Sequence, residues 1–234
     1  MKPSHLSLAI VLVLVAAPLA AQQQHQHEQH KPPAEAGKHA EHSFADVERY
    51  RSIFEASERD AWQKPDQLIR ALGIQPGMMV ADIGAGTGYF ARRFAVTVGR
   101  EGVVFASDLE PNMVVELRDR ADKDGLVNLV PILSSTDDPR LPDGLSDIIF
   151  ICDTWHHISN RVEYARRLKN DLVPGGRVVI VDFHKRELPI GPPPEAKMSE
   201  EEVISEFKQA GFRLVASLDV LPYQYVLLLE PHSE

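Results

Sequence analysis

The sequence predicts an α/β fold built around a doubly wound, Rossmann-like sheet. Short apolar runs alternate with longer helical stretches from residue 78 onwards, which is the pattern of parallel βαβ units. A glycine-rich turn, residues 84–88, directly follows the first apolar run. Near the carboxyl end, two strand-like runs are joined only at Pro222-Tyr223. A parallel crossover needs a dozen or more residues, so this last pair is predicted to be antiparallel.

The individual elements follow from apolar runs and from their stop signals. Pro111 marks a helix start, and residues 174–176, Pro-Gly-Gly, indicate a turn. Ser199 and Glu202 form a capping-box pattern that opens a helix over 199–211. The predicted strands are 78–83, 103–107, 129–133, 146–152, 177–183, 212–221 and 223–230, and the other predicted helices are 87–98, 112–124 and 160–171.

The domain is predicted to span residues 44–234 and to begin with a helical cap over residues 44–73. The cap is expected to be one or two helices, broken before Pro65. Two interpretations of Trp62 and Lys64 stay open, since they would either form part of a lid or pack on the sheet edge.

Two segments precede this domain. Residues 1–21 combine Lys2 with a short apolar run that ends in small side chains, which predicts a signal peptide and export to the periplasm. The alternative is an uncleaved anchor that tethers the protein to the inner membrane. Residues 22–43 are rich in His, Gln and Pro and predict a disordered linker. Its histidines either bind a transition metal weakly or only keep the tether solvated.

Charge and cysteine content exclude some classes of function. The formal net charge is −9 and no long Lys/Arg cluster occurs, which argues against nucleic acid as a partner. Cys152 is the one cysteine, so an internal disulfide is impossible. It ends the apolar run "IIFIC" and is expected to be a core thiol. No feature of the sequence assigns an oligomeric state.

The glycine spacing separates the possible nucleotide ligands. Gly84, Gly86 and Gly88 alternate, whereas a dinucleotide fingerprint has its third glycine one residue later. A phosphate-binding loop would continue with Lys-Ser or Lys-Thr, and here Tyr-Phe follows. Asp82, at the end of the first strand, would repel phosphate but would suit a ligand that carries an ammonium group.

The next two strands supply further acidic groups at the same edge of the sheet. Asp108 ends the second strand, where a carboxylate accepts hydrogen bonds from two ribose hydroxyls. Asp137 or Asp138, after the third strand, offers an acceptor for an adenine amino group. An amino acid moiety, a ribose and an adenine without phosphate together describe S-adenosylmethionine (SAM).

Residues 60–231 resemble a class I SAM-dependent methyltransferase. "VADIGAGTG" (80–88) is similar to that family's first motif, "LPDGLSDIIFICDTWHHI" to the segment of its fourth strand, and "LVPGGRVVIVDF" to the turn and strand that follow. Within the family the chain is most similar to the ubiquinone/menaquinone C-methyltransferase-like branch (type 11/25). The resemblance implies a seven-stranded sheet of order 3-2-1-4-5-7-6, SAM as cofactor and a small-molecule acceptor.

The resemblance also implies which residues bind the cofactor. After the third strand the chain departs from the Gly-Asp-Ala-like stretch that the family often has, because Ser134–Asp138 stands there. We favour Asp137 over Asp138 at the adenine, while a purely structural turn stays an alternative. The implied cofactor-binding residues are Asp82, Gly84, Ala85, Gly86, Gly88, Asp108, Leu109, Thr136 and Asp137.

Candidate acid-base groups follow the fourth strand, where acceptors bind in such folds. They are Asp153, His156 and His157. Each has a structural alternative: Asp153 would cap the next helix or anchor its loop, and the histidines would orient that loop. Trp155 is expected in the core or the pocket wall, Tyr223 and Tyr225 in packing positions, and residues 184–197 in an acceptor-side loop.

The leading hypothesis is therefore an exported or tethered SAM-dependent methyltransferase for a small molecule. The alternative is a non-catalytic SAM-binding protein with the same fold, which the export signal favours because SAM is made in the cytoplasm. An NAD-linked oxidoreductase is disfavoured by the glycine spacing and by Asp82. The presence of one cysteine argues against arsenite as the acceptor.

Overall fold

The structure is a computed structural model that describes residues 47–232. The predicted signal peptide (1–21), the histidine-rich linker (22–43) and the start of the cap (44–46) lie outside these residues. Within residues 47–232, no helix is both long and apolar enough to cross a membrane.

A seven-stranded sheet of order β3-β2-β1-β4-β5-β7-β6 forms the centre of the fold, as predicted. The first five strands run parallel, and β7 joins β5 in antiparallel register with Phe183 opposite Gln224. β6 pairs antiparallel with β7, which confirms the closing hairpin. The strands are β1 (Met79–Ile83), β2 (Val103–Asp108), β3 (Leu129–Leu133), β4 (Ser146–Cys152), β5 (Leu172–Phe183), β6 (Phe212–Ser217) and β7 (Gln224–Pro231).

Helices cover both faces of the sheet because its central strands are apolar on both sides. In β4, Ile148 and Phe150 belong to one hydrophobic core, with side chains of α3, α4 and α5. Ile149 and Ile151 belong to the opposite core, with side chains of α6 and α7. The helices are α1 (Val47–Phe54), α2 (Arg59–Gln63), α3 (Pro65–Ala71), α4 (Ala91–Val98), α5 (Pro111–Asp124), α6 (Arg161–Asp171) and α7 (Glu200–Gln209).

Two element boundaries differ from the prediction around glycines. α4 begins at Ala91, not at residue 87, because Gly86 and Gly88 have positive φ values of 54° and 86°. β5 begins at Leu172, not at residue 177. The predicted Pro-Gly-Gly turn lies inside this strand as a register shift, with Ser146 opposite Leu172 but Ile148 opposite Arg177.

The closing hairpin and the cap also differ in detail. The hairpin connection spans residues 218–223, longer than the predicted two residues, because the chain leaves the sheet to bury Leu221 in the core. The described part of the cap has three helices instead of one or two. The break before Pro65 falls at Lys64, whose left-handed backbone (φ 42°) separates α2 from α3.

The capping box of α7 gives a stability prediction. Ser199 Oγ accepts from the Glu202 N–H (3.2 Å), and Glu202 Oε2 accepts from the Ser199 N–H (2.7 Å). Ser199→Ala should lower the free energy of unfolding by about 1 kcal/mol in denaturant titrations, because an N-cap acceptor is lost. Ser205→Ala, on the exposed side of the same helix, is the control and should change it by less than roughly 0.5 kcal/mol.

Candidate active site

The glycine loop is held by hydrogen bonds between the ends of β1 and β2. The Ser107 carbonyl accepts from the N–H groups of Gly84 (2.8 Å) and Ala85 (3.1 Å). Asp108 accepts from the Gly86 N–H at 2.7 Å and from the Glu110 N–H at 3.0 Å. The predicted ribose-binding carboxylate therefore lies directly against the glycine loop.

Gly84 allows the loop after β4 to approach the glycine loop. Its φ of 71° is in the left-handed region, and a methyl group at this position would lie 2.3 Å from Thr154 Oγ1. Gly88 is restricted in the same way, since a methyl group there would lie 2.9 Å from Leu117 Cδ2. The side of the site that carries the cofactor motif thus meets the side that carries the candidate acid-base groups.

Asp82 is buried, with 3% of its surface exposed, and its carboxylate accepts from the Ala91 N–H at the start of α4. Burial, followed by the negative charge of Asp108, raises the pKa of Asp82 to about 7. Burial also raises the pKa of Asp108, although its backbone hydrogen bonds act in the opposite direction. A cationic ligand would relieve this repulsion, whereas a phosphate would increase it.

The loop after β3 lies beside Asp108, because the Ser134 N–H donates to the Asp108 carbonyl (2.9 Å). Asp138 accepts from the Arg140 N–H at 2.7 Å and serves the turn. Asp137 lies exposed beside it, with Ser135 Oγ donating to its carboxylate at 2.9 Å. The adenine assignment to Asp137 stays a prediction. Of the other implied cofactor residues, Ala85 is buried, Thr136 is exposed, and Leu109 is 49% exposed beside Asp108.

Asp153 follows β4 and takes part in a buried polar network. Its Oδ1 accepts from Gln224 Nε2 at 2.6 Å, and its own N–H donates to the Val181 carbonyl at 2.9 Å. The N-cap position of α6 is Asn160, so Asp153 does not cap that helix. Burial, and then the charge of Asp182, raise the pKa of Asp153, while the charge of Arg59 lowers it.

His156 pairs with a carboxylate that the sequence did not single out. Its Nδ1 lies 2.8 Å from Oδ2 of Asp182, which is fully buried on β5. Burial disfavours the charged imidazolium, but the hydrogen bond and the charge of Asp182 outweigh this effect and raise the pKa of His156. His157 is exposed, with its ring centroid 4.1 Å from that of His156. Trp155 is fully buried, as expected.

The helical cap lies over the glycine loop through polar contacts. Glu55, after α1, accepts from Thr87 Oγ1 at 2.8 Å and pairs with Arg120 of α5 at 2.5 Å. The ring of Phe54 would lie 3.2 Å from a methyl group at Gly86. Arg59 of α2 stacks on the ring of Tyr89, the residue after the loop, with 3.8 Å to its centroid.

Trp62, the candidate lid residue, lies in an aromatic cluster with Phe183 and Tyr223. Trp62 packs near Phe183 (5.7 Å between centroids) and Tyr223 (6.5 Å). Tyr225 is buried, and its hydroxyl donates to the Met198 carbonyl at 3.3 Å, so it packs as expected. Lys64 forms the turn between α2 and α3. In residues 184–197, buried Lys197 donates to the Arg186 carbonyl at 2.7 Å.

Four polar residues of this region escaped the sequence prediction: Arg59, Gln63, Asp182 and Gln224. Asp182 carried a usable signal, because it is an acid at the end of an otherwise apolar strand. The two glutamines carried none, since they meet only through the fold. Among residues 47–232, no group of three or more His, Cys, Asp or Glu side chains could hold a metal ion.

The comparisons with known proteins agree with this geometry. Residues 80–176 match a family model described as "Methyltransferase domain". Two ubiquinone/menaquinone biosynthesis C-methyltransferases are similar: that of Hydrogenovibrio crunogenus is 29% identical over 55% of this chain and 50% of its own length. That of Ectopseudomonas mendocina is 31% identical over 52% of this chain and 48% of its own length. The chain thus spans about half the length of these curated relatives.

A solved structure extends the likeness beyond the family match. The crystal structure of a SAM-dependent methyltransferase from Aquifex aeolicus is 29% identical, with a TM-score of 0.74, over 79% of this chain and 97% of that one. Residues 80–176 thus carry a methyltransferase domain, and the similarities together support a class I SAM-dependent methyltransferase of the type 11/25 branch. The fold and family imply SAM as cofactor. The sulfonium group, the ammonium group and the ribose of SAM fit the acidic pair Asp82 and Asp108.

The contact between Gly84 and Thr154 gives a second prediction. Gly84→Ala should lower the affinity for SAM at least tenfold, about 1.4 kcal/mol, because the added methyl group displaces the loop after β4. Calorimetric titration measures this. Gly144→Ala is the matched control: its φ of 64° brings a comparable backbone cost, but nothing lies within 4 Å of the added methyl group. Equal SAM affinity in the two variants would contradict the prediction.

Proposed function

We propose that this protein transfers the methyl group of SAM to a small-molecule acceptor. The observation that carries the proposal is the placement of four groups at neighbouring strand ends. Asp82 and Asp108 flank the glycine loop on β1 and β2, and Asp153 and the His156–Asp182 pair follow on β4 and β5. One side fits a cationic nucleoside, and the other offers groups that exchange protons.

His156 is the group best placed to act as a general base. When Nδ1–H donates to Asp182, the lone pair of Nε2 is left to accept a proton from an acceptor O–H or C–H. When bound, SAM supplies an electrophilic methyl group. The residues of the chain then align donor and acceptor and exclude water, which is most of the catalysis that an in-line displacement needs. Asp153 and His157 are further candidates at the same strand end.

Binding of SAM is the first test of this proposal. SAM or S-adenosylhomocysteine at about 100 times its dissociation constant should add roughly 2.7 kcal/mol to the free energy of unfolding. Thermal denaturation of the full chain with each ligand measures this. Asp108→Ala should abolish the stabilisation, because it removes the carboxylate that would accept hydrogen bonds from the ribose hydroxyls of SAM.

Asp119→Ala and NAD serve as controls. Asp119 is exposed on α5, so its loss should leave SAM binding unchanged. NAD should not stabilise the protein. A folded protein that neither SAM nor S-adenosylhomocysteine stabilises would refute the proposal. It would indicate that the protein uses the methyltransferase fold for another function. SAM binding without turnover on any acceptor would support the non-catalytic alternative.

The His156–Asp182 pair predicts a pH dependence. A general base acts when neutral, so methyl transfer should rise as the pH rises through the raised pKa of His156. Asp182→Asn should move this rise to lower pH, because the carboxylate that stabilises the imidazolium is gone. His156→Asn should lower kcat by roughly 10²–10⁴.

The assay follows labelled methyl transfer from SAM to phenols, amines, thiols and, first, quinol precursors of the kind that the names of the relatives suggest. A matched control is His232→Asn, an exposed position near Gly211 at the opposite edge of the sheet. Proton NMR of the His156 ring gives its pKa independently of turnover. An unchanged pKa in Asp182→Asn would exclude the assigned pair.

We further propose that residues 1–21 direct the protein out of the cytoplasm or tether it to the inner membrane. The basis is the order of a basic residue, an apolar run and small residues in the sequence. Mass spectrometry of the N-terminus in each cell fraction distinguishes the two. A chain that begins near residue 22 in the extracytoplasmic fraction supports export, and an intact Met1 in the membrane fraction supports the tether.

A further inference from the structure

A buried chain of hydrogen bonds joins the helical cap to Asp153. Arg59 Nε donates to Gln63 Oε1 at 3.0 Å, and Gln63 Nε2 donates to Gln224 Oε1. Gln224 Nε2 in turn donates to Asp153 Oδ1 at 2.6 Å. Gln63 and Gln224 are 0% and 1% exposed. The chain therefore runs from α2 through β7 to the residue after β4 without contact with solvent at either amide.

Arginine fixes the direction of this chain. A guanidinium group can only donate hydrogen bonds, so Gln63 must present its carbonyl oxygen to Arg59. Its NH₂ group then faces Gln224, whose carbonyl must accept and whose NH₂ group must face Asp153. Asp153 Oδ1, at the end of the hydrogen-bond chain, therefore accepts from Gln224. A hydrogen bond donated to a carboxylate oxygen favours the ionised form of Asp153.

The way in which the cap packs makes Gln63 unusual. α1 buries no side chain, and α2 buries one, Gln63. The short helix nearest the site is therefore anchored in the interior by an amide instead of an apolar group. A buried amide that only filled space would cost free energy relative to an apolar side chain, so its position calls for a function that depends on hydrogen bonding.

We propose that Gln63 is a positioning residue that makes docking of the cap helices α1 and α2 and the ionised state of Asp153 mutually dependent. Undocking removes both Arg59 and Gln63, so Gln224 loses the partner that orients its amide. Asp153 then keeps only the groups that belong to the rest of the domain. The inference rests on the proposed function for the use of this carboxylate in the reaction. The coupling itself requires neither SAM nor an acceptor.

The groups around Asp153 set the sign of the coupling. Burial and the charge of Asp182 of β5 disfavour the ionised form of Asp153, whereas the charges of Arg59 and His156 and the hydrogen bond from Cys152 Sγ (3.6 Å) favour it. The docked cap adds the charge of Arg59 and, through Gln63, orients the donor of Gln224 towards Asp153, and both act against the burial that raises the pKa of Asp153. We expect these two effects to outweigh the added burial, so that the pKa of Asp153 is lower when the cap is docked. By linkage, docking is favoured at high pH and is weakened as the pH falls through that pKa.

Replacement of the Gln63 amide nitrogen by an oxygen tests the direction of the hydrogen-bond chain. In Gln63→Glu, both side-chain oxygens accept, so Gln224 must reverse its amide and turn its carbonyl towards Asp153. The pKa of Asp153 should rise by at least about one pH unit, which is a tenfold change in proton affinity. It is measured by ¹³C NMR of the Asp153 carboxyl carbon in the full-length protein. Gln67→Glu adds the same charge at an exposed position of α3 and should leave that pKa unchanged.

Gln63→Met covers the case in which Gln63→Glu fails to fold, because it keeps the volume and removes both hydrogen bonds. It should also raise the pKa of Asp153. An Asp153 pKa that is unchanged in a folded Gln63 variant, or that rises equally in Gln67→Glu, would overturn the proposal.

Hydrogen exchange tests the reverse direction of the coupling. Protection factors of the amides in residues 47–63 should fall several-fold in the wild type as the pH falls through the pKa of Asp153. Asp153→Asn removes the ionisable carboxyl group, so in this variant the protection factors of residues 47–63 should no longer depend on pH. The protection factors of the β4 amides should be the same in both proteins. Equal pH dependence of the cap in both proteins would contradict the coupling.

Calorimetry with S-adenosylhomocysteine on the same variants separates the two proposals. Loss of the coupling with ligand binding intact would refute only the function of Gln63. An intact coupling in a protein that binds neither S-adenosylhomocysteine nor SAM would refute the proposed function and leave the coupling standing.

Discussion

The accumulation of carboxyl groups at one edge of the sheet is the constraint on which the rest of the site depends. Asp108, Asp82, Asp153 and Asp182 lie at, or within one residue of, the carboxyl ends of β2, β1, β4 and β5. These strands are neighbours and run parallel, so the four acids share one edge. Buried like charges repel one another, and each group needs a compensating partner.

The two halves of this edge are compensated by different kinds of group. Asp82 and Asp108 accept from backbone N–H groups of Ala91, Gly86 and Glu110, which are fixed once the loop and α4 form. Asp153 and Asp182 depend on the side chains of Gln224 and His156, although Asp182 also accepts from the backbone N–H of Phe183 at 2.8 Å. Backbone donors hold a constant geometry, whereas side-chain partners can move or titrate. This division suits a constant cofactor on one half and proton exchange with an acceptor on the other.

Local chemistry explains which parts of the fold and site the sequence predicted. The glycine turn, the acids at strand ends and the capping box are set by residues close in the chain, so their patterns are visible without a structure. The order of the sheet came from the resemblance and is confirmed. The predicted boundaries at residues 87, 177 and 221 were wrong, because glycine dihedrals, a register shift and the burial of Leu221 decided where these elements begin or end.

Contacts between distant segments account for what the sequence could not show. Gln63 and Gln224 are 161 residues apart, and His156 and Asp182 are 26 apart. Both pairs exist only because β5 lies between β4 and β7 in the sheet, in a register that places Phe183 opposite Gln224. Glutamine has no special propensity or spacing that marks it as a site residue. Gln63 and Gln224 are recognised as site residues because both are buried and because Arg59, which can only donate, orients the Gln63 amide.

The cap completes the balance of charge that the sheet edge requires. Arg59 lowers the pKa of both Asp82 and Asp153, so one cation of α2 acts on both halves of the site. The outer side of the cap is held by ion pairs such as Arg51 with Glu116 (2.7 Å), which remain in contact with solvent and weaken with salt. Because α1 buries no side chain, apolar packing contributes little to its docking. Docking of α1 is therefore governed mainly by electrostatics, whereas α3 is held by the buried side chains of Leu68 and Ile69. The acids that the cap covers are part of what holds its outer helices in place.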